Sequence, residues 1–155
     1  MTSKTKIDKA GRVLSDQNRP YDEESLEFDI VFEEFRGDHL EPLTRLTLLL
    51  QNRLETFGHP YYVAQRLKRK PQILRKLRRF SVRLTQLQDI GGCRIVVDKN
   101  EDVDTLIGLV HDSIGSDPDY KILRETDYRD WGRDDSGYRA YHMVFELPPE
   151  IRTLT

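Results

Sequence analysis

Asp89, Arg94, Tyr138 and His142 are the residues of this sequence whose types and surroundings suit phosphate chemistry, together with a cationic segment ahead of them. Between Glu55 and Asp89 the chain carries no acidic residue, although 34% of its residues are charged. That gap holds Arg66, Lys68, Arg69, Lys70, Arg75, Lys76, Arg78, Arg79 and Arg83, and it closes on Asp89-Ile90-Gly91-Gly92-Cys93-Arg94. The formal net charge is only −2, so this is segregation of charge rather than excess. A local positive field of this kind calls for an anionic partner, most often phosphate. The carboxylate that ends the run points to a polyphosphate carrying magnesium, which needs cations for its oxygens and an acid for its metal.

Each of these residues also has a plainer reading. Alternation over residues 137–147 sets Tyr138, Ala140, His142 and Val144 on one face and Arg139, Tyr141, Met143, Phe145 and Leu147 on the other. The first set places a flat ring and an imidazole two pleats apart, so that a base can stack while the imidazole reaches a phosphate. A strand-edge tyrosine and a hydrogen-bonded histidine account for the same residues. Asp89 before a pair of glycines is an ordinary turn residue by type. Arg94 either snorkels at a sheet edge or lines a polar site on the sheet. The cationic run reads as a solvated helix face, except that such faces normally interleave Glu with Lys.

The elements that must hold these residues follow from periodicity. Residues 1–20 show none and read as a mobile tail ahead of a domain over 21–155. An amphipathic helix is expected from Asp22 to Phe35 on Leu26, Ile30 and Phe35. A second rests on Leu43, Leu46, Leu50, Leu54 and Phe57, with Pro42 in its first turn and Gly58 and Pro60 ending it. A short strand over 61–67 precedes a helix opened by Pro71, with Ile73, Leu77 and Phe80 inward. Residues 92–97 form a strand with Cys93, Ile95 and Val97 on one side and Arg94 and Val96 on the other. Val103, Leu106, Ile107, Val110 and Ile114 mark another helix, and 121–128 and 137–147 the remaining strands. Helices first, then strands alternating with helices, give an α+β or α/β class: a small mixed β-sheet flanked by helices.

A chain of 155 residues suits a single core. No apolar run nears the roughly 18 residues that cross a bilayer, and the polar, basic N-terminus lacks the apolar stretch of a secretory signal. The lone Cys93 cannot pair internally, which agrees with a reducing cytoplasm. Four scattered histidines and one cysteine show no zinc-ligand spacing. The near-balanced charge argues against a genomic DNA binder, though not against a local nucleotide or RNA site.

In order and spacing, these motifs resemble the synthetase domain of the RelA/SpoT alarmone family. The carriers are Arg66-Leu67-Lys68, Ile73 and Lys76, Asp89-Ile90-Gly91-Gly92-Cys93-Arg94, Asp127-Tyr128 and Gly137-Tyr138-Arg139-Ala140-Tyr141-His142. Upstream, Phe35-Arg36-Gly37-Asp38-His39-Leu40-Glu41-Pro42-Leu43 is similar to the Arg-x-x-His-x-x-Pro-Leu entry of compact members. The resemblance spans roughly residues 35 to 147. It departs from the family at Gln72 and Ala140, where serines are usual, and at Gly132-Arg133, where Pro-Lys is usual. The family also continues into a strand carrying Glu-x-Gln-x-Arg-Thr, and Glu150-Ile151-Arg152-Thr153 reads here as the loop before it.

The resemblance implies a nucleotidyltransferase-like synthetase fold and transfer of the β,γ-pyrophosphoryl group of ATP to the 3′-hydroxyl of GDP or GTP. It implies ATP phosphates on Arg66, Lys68 and Lys76, with an arginine plane free to stack on adenine. It also implies that Asp89 holds Mg and that Arg94 is catalytic with it. By the same resemblance the acceptor GDP or GTP is expected on Arg133, Tyr138 and His142. The strand bearing the family's glutamate is expected to be absent, leaving an uncovered sheet edge and an isolated chain of doubtful activity. Two other outcomes stay open: a relative that modifies the 3′ end of tRNA, and a non-catalytic nucleotide-binding remnant. Alarmone hydrolysis and a membrane partner are not expected, and the sequence leaves room for a homo-oligomer.

Overall fold

A computed structural model of the chain describes residues 2–132, 137–147 and 152–154. Three helices come first: α1 (Lys4–Ser15), α2 (Glu23–Gly37) and α3 (Leu40–Leu54). The chain continues through β1 (Tyr61–Leu67), α4 (Lys70–Phe80), a 3-10 turn at Leu84–Gln86, β2 (Gly91–Val97) and α5 (Asn100–Gly115). The strands β3 (Lys121–Asp127), β4 (Tyr141–Leu147) and β5 (Arg152–Leu154) complete it. They form a five-stranded sheet in the order β1-β2-β5-β4-β3. Only the β2–β5 pairing is parallel, so the sheet is mixed, as expected.

Local chemistry explains the helix ends. Ser3 caps α1 by accepting from the Lys6 amide, and Asp22 and Ser25 cap α2 reciprocally. Pro71 sits in the first turn of α4, where its missing N–H costs no intrahelical bond. At the other end Ser81, at φ 50°, takes the left-handed conformation that stops the helix.

Two cores result. One joins Ile7 and Ala10 of α1, Phe28, Val31, Phe32 and Phe35 of α2, Ile73 and Leu77 of α4, and Leu84, Leu87 and Ile90. The other packs Leu43, Leu46 and Leu50 of α3 and Val110 and Ile114 of α5 on one sheet face, through Leu67, Cys93, Ile95, Met143 and Phe145. Alternation therefore leaves Arg66, Arg94, Val96, His142 and Val144 on the opposite face.

Five expectations need correction. Residues 4–15 are a core helix rather than a mobile tail; Ala10 is wholly buried. On α2, Leu26 and Ile30 face solvent, because the stripe carrying Phe28, Val31, Phe32 and Phe35 offers far more apolar area to bury. Phe80 is exposed at the end of α4, just before the left-handed turn at Ser81. Residues 152–154 form the inserted strand β5, pairing with β2 and β4, and the sheet's edges are β1 and β3. The strand expected from 137 begins only at Tyr141, after Gly137 at φ 76°. No described helix is long and apolar enough to cross a membrane.

Candidate functional site

The cationic segment and its closing acid meet at the end of the helical core. Lys68, one residue past β1, and Lys76, on α4, both donate to Oδ2 of Asp89, at 2.7 and 2.9 Å. The local fold fixes each of them. The Lys68 amide donates to the Ile90 carbonyl at 2.7 Å, and Arg36 of α2 donates through Nε to the Lys68 carbonyl at 2.7 Å. The 3-10 turn swings the chain so that Leu87 and Ile90 enter the helical core on either side of Asp89.

Burial pushes the Asp89 carboxyl upward, but the hydrogen bonds and charges of Lys68 and Lys76 outweigh it and hold the carboxyl below its ordinary range. Its other oxygen, Oδ1, is sealed from solvent and has no hydrogen-bond partner among the described residues. A buried acceptor left this way costs about 1–3 kcal/mol, and a cation would satisfy it. The donor set suits a hard ion such as magnesium, which binds through one or two carboxylates plus substrate phosphates. No three metal-ligating side chains cluster among the described residues, so an ion held here would need further ligands from a substrate.

A cleft of about 320 Å³ runs from this triad to the far half of the sheet. Lys76, Phe80 and Asp89 line one side, and Arg124, Tyr128 and His142 the other. His142 stands opposite Thr126 in the β3–β4 register, and Val144 opposite Arg124, so all four share the cleft face. The Tyr138 hydroxyl lies 2.8 Å from His142 Nε2, and the Tyr138 and Tyr128 rings both meet the imidazole edge-on. Tyr138 precedes the strand, yet this bond keeps it beside His142.

Arg66 and Arg94 stand on the same sheet face but outside the cleft's lining, exposed on β1 and β2. Arg66 is opposite Gly92 and Arg94 opposite Ala64, so each guanidinium faces a small residue across the strands. Neither has an acidic partner among the described residues. Arg133 lies outside the described residues.

Sequence reasoning missed Arg124, Thr126, Tyr128 and Phe80 as cleft residues. Alternation alone places Arg124 and Thr126 on one face of β3, but only the β3–β4 pairing shows that this is the face of His142. It also took Arg36 and His39 as parts of a motif without assigning them work. Arg36 braces the Lys68 carbonyl, and His39 is buried with Nδ1 2.8 Å from the Phe35 carbonyl oxygen, so both are structural.

The family model described as the region found in RelA / SpoT proteins matches residues 65–154. No curated protein matches the chain. Among solved structures, small alarmone synthetase 1 from Bacillus subtilis is 24% identical at a TM-score of 0.68, covering 79% of this chain and 68% of that one. The same enzyme bound to its product pppGpp gives 23% identity, a TM-score of 0.69, and coverage of 79% and 70%. A GTP pyrophosphokinase family protein from Streptococcus pneumoniae is 26% identical at a TM-score of 0.66, covering 79% of this chain and 67% of that one.

Proposed function

The chain belongs to the RelA/SpoT family, and on that premise we propose that it transfers the β,γ-pyrophosphoryl group of ATP to the 3′-hydroxyl of GDP or GTP, making (p)ppGpp. The observation that carries this reading is the meeting of Lys68 and Lys76 on Asp89, which with Lys76 lines a cleft whose other wall holds His142. Lys68 and Lys76 exchange Asp89 for ATP phosphate oxygens, and Arg66 and Arg94 supply cationic planes for the adenine on the adjoining strands. Asp89 then holds Mg, which when bound neutralises charge developing on the transferred group. Tyr138 offers its ring to the acceptor guanine, with Arg133 and His142 toward the acceptor phosphates.

The 3′-hydroxyl needs a proton acceptor. Counting back from Arg152-Thr153, the family's Glu-x-Gln-x-Arg-Thr places its glutamate position at Pro148 and its glutamine position at Glu150, both outside the described residues. Lack of a general base costs on the order of 10²–10⁴-fold. The reading is therefore nucleotide binding with slow turnover. Purified protein incubated with labelled ATP and GDP or GTP tests it. Slow product formation that Lys76→Met abolishes is expected, whereas absence of both product and nucleotide binding sinks the reading. Nucleotides that raise the melting temperature with no product at any enzyme concentration identify the non-catalytic remnant.

One observation favours a second acceptor. Arg69, Arg75, Arg79 and Arg83 are exposed on and beside α4 without an acidic partner among the described residues, as an RNA backbone would require. tRNA binding that falls steeply with salt, together with no affinity for GDP, replaces the guanine nucleotide by the tRNA 3′ end.

A further inference from the structure

Trp131 is 90% exposed, more than any other large apolar side chain among the described residues. It makes no hydrogen bond, ion pair or ring contact among them. An indole in water forfeits a large apolar burial, and this one is not carried on a loosely held chain. Arg129, two residues earlier, pairs with Asp127 at 2.8 Å and with Asp104 of α5 at 2.8 Å, and its guanidinium lies 5.9 Å from the Tyr141 ring centroid. The Tyr128 amide donates to the Ala140 carbonyl at 2.8 Å, and the Gly132 amide to the Tyr128 carbonyl at 3.0 Å.

The next residue brings Trp131 to the acceptor side. Gly132 takes φ 72°, and a Cβ there would stand 3.1 Å from the Tyr138 carbonyl oxygen and overlap the Arg139 guanidinium. The backbone after Trp131 thus lies directly against the residue that carries the acceptor ring. Tyr138 is held through its hydroxyl by His142, while Trp131 is unheld. One anchored ring and one unengaged ring rise from touching stretches of chain.

We propose that Trp131 is the second aromatic wall of the acceptor-base subsite, closing on a purine whose other face rests on Tyr138. This deepens the pyrophosphotransferase reading and rests on it. The base supplies the apolar surface that the indole lacks, and stacking needs no hydrogen-bond partner from the protein. Gly132 is the residue that permits the approach, since a side chain would push Trp131 away from Tyr138.

Trp131 is the chain's only tryptophan, so emission excited beyond the tyrosine absorption band reports on it alone. GDP is expected to quench or shift that emission, and ATP to leave it unchanged. Trp131→Ala raises the GDP dissociation constant roughly 5- to 100-fold by calorimetry, leaves ATP affinity and melting temperature as they were, and Trp131→Phe restores most of the loss. GDP binding with unchanged emission overturns the inference but not the reading beneath it. So does an equal loss of ATP and GDP affinity in Trp131→Ala. Failure of the unaltered protein to bind GDP or GTP at millimolar concentration overturns the acceptor reading and this inference with it.

Discussion

At Asp89 a single carboxylate oxygen carries two ammonium groups, so on the proposed reading metal-free ATP competes with Asp89 for the same lysines. Partly buried pairs of this kind are worth up to about 1 kcal/mol or somewhat more each. Asp89→Asn removes the competitor and the proposed metal ligand together. Metal-free ATP is expected to bind the variant two- to tenfold more tightly, on the order of that energy, while the gain in affinity on adding magnesium disappears. Calorimetry in chelator and then in magnesium reads both. If the variant binds metal-free ATP more weakly, Asp89 positions the lysines for phosphate instead of quenching them. The sequence displayed these lysines and this acid. It could not show that three of the apparently unopposed cations are already engaged, Lys68 and Lys76 by Asp89 and Lys70 by Asp29, because the second of those acids lies 41 residues away.

Among the elements, α1 departs furthest from expectation, and Gly11 shows why it packs where it does. A Cβ at Gly11 would stand 2.9 Å from Leu84 Cβ and 3.2 Å from Leu77 Cδ1. Gly11→Ala gains about 1 kcal/mol of helix propensity, but forcing α1 off α4 and the 3-10 turn costs about 1–3 kcal/mol. The overpacking term is expected to win, giving a net loss of stability in urea unfolding; a net gain means that α1 can slide. The tie between α2 and α4 adds a pH dependence. Burial pushes the Asp29 carboxyl up, but hydrogen bonds from Lys70 and Tyr21 outweigh it, and the net direction is down. A depressed carboxyl stabilises the fold above its unfolded value and loses that contribution as pH falls through its folded one, so the loss falls below about pH 4. Unfolding measured at pH 7 and pH 3 is expected to show a smaller acid loss for Asp29→Asn than for the unaltered protein. Strands and α3 were legible because their apolar spacing is uninterrupted, as Leu43, Leu46 and Leu50 show. Residues 4–15 were not, since only Ile7, Ala10 and Gly11 are buried and none makes a long apolar run.

Over the whole molecule the two cores divide the labour. The helical core backs the cleft wall with Lys76 and Asp89, beside Lys68, and the sheet supplies the wall with His142, while Arg66 and Arg94 stand on the same sheet face outside the cleft. Both halves of the site had been readable as separate motifs; their meeting depends on β5 joining β2 to β4, which a three-residue strand scarcely announces. This division predicts what removal of residues 1–20 does. Ile7 and Ala10 leave the helical core, and with them goes Asp8, whose carboxylate accepts from the Thr85 amide at 2.9 Å and the Thr85 hydroxyl at 2.8 Å beside that core. Burial of Ile7 alone accounts for about 1.5–3 kcal/mol, a large part of a margin of about 5–15 kcal/mol. Leu84 and Leu87, which aim the chain at Asp89, lose their cover. Hydrogen exchange on the shortened chain is expected to show α2, α4 and the 3-10 turn losing protection while α3, α5 and strands β1 to β4 keep theirs. ATP affinity should fall with the first group. Uniform loss of protection across both groups would show instead that the cores fold as one cooperative unit, with the cleft an interior seam and not a junction between separately stable parts.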